Sequence, residues 1–128
     1  MTTTGNTPSG RAAPATGNEQ IDTEHRMQLS LVAESLAALA NNAEDARELV
    51  EQLFTYTQAH FLYEQLLMRR AACADYAGHV REHDRLLGQL SSVRDRTHAG
   101  SYAEAAEHLE VHERDLFEHI GSWDQSIA

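Results

Sequence analysis

The chain has 128 residues, with 10 Lys+Arg against 20 Asp+Glu and a formal net charge of −10 at pH 7. It has room for one domain of ordinary size, and its acidity excludes nucleic acid and anionic membrane as partners, since both demand a basic face. Every Lys+Arg position is arginine, so lysine Schiff-base chemistry and Walker-type phosphate binding are excluded as well.

The opening stretch, MTTTGNTPSGRAAPATGNEQ, lacks the apolar run of a signal peptide and is too poor in arginine for a transit peptide. Residues 1–20 read as a disordered tail and 21–128 as one domain. Both prolines, Pro8 and Pro14, fall in that tail. From Ile21 onward nothing breaks a helix, and good helix formers dominate.

The first predicted helix starts near Asp22 as N-cap, carries His25, Leu29, Val32, Leu36 and Leu39 on one stripe, and stops at Asn41 and Asn42. The second carries Leu49, Leu53, Tyr56, His60, Tyr63 or Glu64, and Leu67. After a weak stretch around Cys73, Ala74 and Asp75, a third helix is marked by His79, His83, Leu86, Leu87, Leu90 and Val93 and closed by Gly100. The fourth opens on a capping box, Ser101 with Glu104, and runs through Tyr102, Ala106, Leu109, His112, Leu116, His119 and Trp123. Short connections make neighbours antiparallel, so the predicted fold is all-α, an up-down-up-down four-helix bundle. No apolar stretch is long enough to span a bilayer. The single Cys73 cannot close an internal disulfide, and the expected location is the cytoplasm.

Five histidines and two carboxylates fall at telling intervals: His25, His60 with Glu64, His79 with His83, and His119 with Asp124. His25 lies about 17 residues before the first turn and His60 about 18 after it, so at about 1.5 Å per residue they share a level. The same count brings Glu64, His79, His83 and His119 to that level, with Asp124 on about the next turn of the fourth helix. A single HxxxH pair means little, and His108 with His112 forms a second one by chance. Seven such groups in one core layer would be heavily penalised unless jointly satisfied. Imidazoles suit iron, zinc, copper and nickel, and carboxylates can bridge two ions, so the set points to a two-metal centre.

The residues that carry this pattern give the chain a family resemblance. IDTEH with His25, HFLYE with His60, Phe61 and Glu64, Met68 eight residues after His60, HVREH with His79 and His83, and HIGSWD with His119 and Asp124 together resemble hemerythrin, in particular the single-domain bacterial hemerythrins. The resemblance covers residues 21 to 124. It implies a non-haem diiron centre in which Glu64 and Asp124 bridge the irons with an oxo or hydroxo group. His79, His83 and His119 would complete one iron, and His25 and His60 would bind the other. Two octahedral ions offer twelve positions; three bridges take six and five imidazoles take five, which leaves one vacancy for O2 or another small diatomic. The resemblance also places Phe61, Leu116 and Ile120 around that vacancy, as an apolar wall that excludes water.

Several residues depart from the family pattern. Asp115 stands where a pocket tryptophan is frequent; it either wets the pocket and offers a proton there or faces solvent. His112, about 10 Å along the axis from His119, is too far to share an ion and is a core or channel histidine or part of a relay with Asp115. His98 and His108 are expected to be exposed. Cys73-Ala74 replaces a common Tyr-Pro in the second connection; Cys73 is passive or senses oxidants. Gln65 replaces a frequent second glutamate, with little consequence expected.

The leading functional expectation is reversible O2 binding for storage, delivery or scavenging, with an unidentified protein acceptor or reductase as partner. The alternatives are a diiron enzyme that reduces O2, peroxide or nitric oxide, a sensor module acting through a separate partner, and a purely structural zinc site.

Overall fold

The computed structural model describes residues 12–127, and the first eleven positions of the expected tail lie outside them. Four helices follow in order: α1 (Glu19–Ala40), α2 (Ala46–Arg70), α3 (Tyr76–His98) and α4 (Tyr102–Gly121), with a short 3-10 helix (Trp123–Ser126) behind the last. α1 packs against α2 and α4, and α3 packs against the same two. This is the antiparallel four-helix bundle the stripes predicted. Among the described residues, no helix is long and apolar enough to cross a membrane.

Leu29, Val32 and Leu39 of α1, Leu53 of α2, Leu86, Leu90 and Val93 of α3, and Leu109 and Leu116 of α4 are all buried in one cluster. Leu36, Leu49, Leu87, Tyr102 and Ala106 sit at its margin. The predicted faces are therefore the real ones, although their edges meet solvent.

All three interhelix turns use one device. Ala43 N donates to Ala38 O at 2.9 Å, Cys73 N to Met68 O at 3.0 Å, and Ser101 N to Arg96 O at 2.9 Å. Between each helix and its closing donor lies one left-handed residue: Asn42 (φ 49°), Ala72 (φ 52°) and Gly100 (φ 81°). These are Schellman closures, in which a left-handed residue lets the chain turn back onto orphaned carbonyls. Asn and Gly take that conformation readily; Ala72 does so against its Cβ.

The caps correct the sequence reading in two places. The N-cap of α1 is Asn18, whose side chain accepts from Ile21 N at 3.0 Å. Asp22 instead lies within the first turn and accepts from Thr16 N and Oγ1 at 2.8 and 2.7 Å. An acceptor-only carboxylate suits this task, because the incoming segment brings donors to it. Residues 13 to 16 thus lie against the bundle, with Ala13 touching the core and Thr16 buried. At α4, Ser101 is the cap residue but makes no side-chain capping bond, so the expected capping box is not formed.

Candidate metal centre

Every one of the seven predicted residues reaches the same interior layer. His25 comes from α1, His60 and Glu64 from α2, His79 and His83 from α3, and His119 from α4. Asp124 lies on the 3-10 helix and not on α4; the break after Gly121 turns its carboxylate back into the bundle. All seven are at most 2% exposed.

The carboxylates divide the layer into two halves. Glu64 Oε1 lies 3.0 Å from His83 Nε2, while its Oε2 lies 3.1 Å from His25 Nε2 and 2.9 Å from His60 Nε2. Asp124 Oδ1 lies 3.0 Å from His79 Nε2 and 2.9 Å from His119 Nε2, while its Oδ2 lies 2.9 Å from His25 Nε2. Each acid therefore gives one oxygen to each half. Two groups result that could each hold a cation: Glu64, His79, His83, His119 and Asp124, and His25, His60, Glu64 and Asp124, with the ligand atoms in each within 4.8 Å of one another.

Hydrogen bonding alone does not account for this layer. His60 Nε2, His83 Nε2, His119 Nε2, Glu64 Oε1 and Asp124 Oδ2 are buried at these short separations yet lack a hydrogen-bond partner among the described residues. Lone pairs converging on common points, without the angles that N–H groups need, are what a cation requires. The residues present fit metal ions in both halves.

Electrostatics reinforce the arrangement. Burial disfavours a charge on His25, but its bonds to Asp124 and Glu64 outweigh burial and raise its pKa to about 9. Burial likewise pushes Glu64 and Asp124 up, yet the close imidazoles of His25, His60 and His83 hold Glu64 at about 2, and those of His119, His25 and His79 hold Asp124 well below the carboxylate range. His83 is pushed down by burial. Both acids are thus anionic and ready to neutralise cations.

Two residues behind the histidines escaped sequence reasoning. Glu24 Oε1 lies 2.7 Å from His60 Nδ1, and Gln65 Oε1 lies 2.8 Å from His83 Nδ1. Each acceptor holds the proton on Nδ1 and turns the Nε2 lone pair inward. Gln65 was expected to matter little, and this bond corrects that. Its signal was adjacency: each sits beside a ligand in sequence, on a helix edge that reaches the next ring. Phe61 adds a parallel stack on His83, with centroids 3.9 Å apart, and joins Leu116 and Ile120 in the buried apolar cluster.

Asp115, for which the sequence leaves a pocket role and a solvent-facing role open, is half-buried at the edge of α4 and held by neighbouring polar side chains. Its carboxylate accepts from Gln89 Nε2 at 2.7 Å, Arg85 at 3.1 Å and Arg114 at 3.2 Å. Partial burial works to raise its pKa, but these bonds prevail and lower it, so it stays ionised. His98 and His108 are exposed as expected, the former 2.6 Å from Glu51. Cys73 Sγ lies 3.6 Å from Ser126 O.

Comparison with known proteins agrees with the geometry. Residues 16–128 match the hemerythrin HHE cation binding domain. The bacteriohemerythrin of Stenotrophomonas maltophilia (strain R551-3) is 29% identical over 114 residues, covering 88% of this chain and 73% of that protein. That of Methylococcus capsulatus (Bath) is 32% identical over 81 residues, covering 62% of this chain and 61% of its own length. The bacteriohemerythrin of Pseudomonas aeruginosa PAO1 is 29% identical over 111 residues, covering 85% and 71%. No solved structure gives a match of comparable strength. With the family model spanning nearly all of the bundle and the cation-ready layer at its centre, the chain belongs to the hemerythrin family.

Proposed function

We propose that this chain holds two iron ions and binds dioxygen reversibly, as a cytoplasmic store, carrier or scavenger served by a separate reductase. The observation that carries the reading is the division of Glu64 and Asp124, one oxygen of each on the side of His79, His83 and His119 and the other on the side of His25 and His60. Iron held by these residues would supply a redox couple for binding a diatomic ligand.

In this reading the protein's own work is placement and exclusion. His79, His83 and His119 would hold one ion and His25 and His60 the other, and the smaller histidine count on the second would leave room there for a diatomic ligand. Phe61, Leu116 and Ile120, all at most 1% exposed, would wall the ligand space and keep bulk water out. Glu24 and Gln65 fix ring orientation, so that Nε2 is presented without a rotational search. An enzymatic reading draws on Asp115 as a proton source, and the contacts of that carboxylate with Arg85 and Arg114 favour the binding reading over it.

Gas uptake tests the proposal: the iron-loaded, reduced protein should take up one O2 per two irons and release it under vacuum. Uptake that cannot be reversed would favour an enzyme, and a protein that retains zinc in place of iron would favour a structural site.

A further inference from the structure

His112 is a buried histidine that the metal layer does not use. It is 0% exposed, and seven residues separate it from His119, about 10 Å along α4. Its Nδ1 lies 2.9 Å from Gln89 Oε1, and Gln89 Nε2 donates to Asp115 Oδ2 at 2.7 Å. Arg85 and Arg114 hold the same carboxylate from the outside.

The polarity of this chain follows from its surface end. An ionised carboxylate only accepts. Gln89 must therefore turn its amide NH2 to Asp115 and its carbonyl to His112. A carbonyl also only accepts, so His112 must carry its proton on Nδ1. Burial pushes the pKa of His112 down to about 4, which keeps the ring neutral and leaves Nε2 as a bare lone pair. That atom is buried and has no hydrogen-bond partner among the described residues.

We propose that His112 Nε2 is an internal water site, held in its accepting state by the Asp115–Gln89 chain. A buried acceptor left unmet costs about 1–3 kcal/mol, whereas an interior water that finds two to four polar partners removes that cost. The neighbouring helix supplies a group of the right kind. Ser35 Oγ on α1 is buried and, among the described residues, equally without a hydrogen-bond partner, and α1 packs against α4. Ser35 lies about 15 Å along the axis from His25, within about one helical turn of the level of His112. A water can donate one hydrogen to His112 Nε2 and accept from the serine hydroxyl. Where Leu116 walls a ligand space, as proposed above, this puts a water about one helical turn behind that wall; the site itself does not depend on iron or dioxygen.

The full chain, loaded with diamagnetic zinc and labelled with 15N at histidine, tests the proposal by NMR, together with a high-resolution crystal structure. The expected result is His112 as a single Nδ1–H tautomer at neutral pH, with an ordered water at hydrogen-bond distance from Nε2. Asp115→Leu should lose the single tautomer while the fold and the metal-layer histidine signals are retained. A protonated Nε2 in the parent chain, a dry Nε2, or an Asp115→Leu protein with an unchanged tautomer would each overturn the proposal. If Asp115→Leu fails to fold, Gln89→Leu gives the same reading.

Discussion

Phe61 lies flat on His83, with ring centroids 3.9 Å apart and planes inclined by only 2°. The histidine is thereby fixed on its face by an aromatic ring and at its edge by the Gln65 carbonyl. Because Phe61 is also buried in the main cluster, Phe61→Ala should lower stability by about 3–5 kcal/mol. Urea denaturation measures this; a loss below about 1 kcal/mol would show that the stack and the packing around it contribute little.

Glu24 and Gln65 do the same task with different charge, and each serves a different half of the layer. Glu24→Ala should weaken cation binding in the His25 and His60 half by about 10–100-fold, and Gln65→Ala should do the same in the half with three histidines. Stepwise metal titration, followed by calorimetry, separates the two. Equal weakening of both steps by both variants would contradict the assignment of halves.

The sequence made the metal layer readable because heptad-like stripes reveal which face of a helix is inside, and chain counting reveals its height. That is why His25, His60, His79, His83 and His119 could be brought together without coordinates. The details that escaped depend on groups reaching sideways or off a helix. Asp124 sits in a 3-10 turn that no periodicity announces. Gln28, Ser35 and Thr57 are fully buried polar residues on the core face, where apolar patterning counts them as interruptions. Asn18 and Asp22 are both good caps, and only the donors brought by Thr16 decide which one serves.

Acid should expose the buried state of His112. Its pKa falls from an ordinary 6.5 to about 4 in the folded protein, so between these values the unfolded chain binds a proton that the folded chain refuses. The contribution is fully present above pH 6.5 and is lost as pH falls toward 4, by about 2–3 kcal/mol at pH 4.5. His112→Leu should flatten this part of the pH dependence. Urea midpoints at pH 7 and 4.5 for both proteins check it, and an undiminished acid slope in the variant would assign the loss to other groups.

Ala72 holds a left-handed conformation at φ 52° in the turn between α2 and α3. Glycine removes the Cβ conflict there at some cost in unfolded-chain entropy. Ala72→Gly should raise stability by about 0.5–1 kcal/mol, read as a higher melting temperature. A destabilised variant would mean that the turn is not strained.

The most direct test of the central claim is the optical spectrum of the iron-loaded, reduced protein before O2, after O2, and again after its removal. A two-iron centre with one open position predicts a charge-transfer band in the visible that appears with O2 and disappears with it. It also predicts two irons per chain and loss of the band in His60→Ala. Iron bound without any O2-dependent band, or a single iron per chain, would contradict the account.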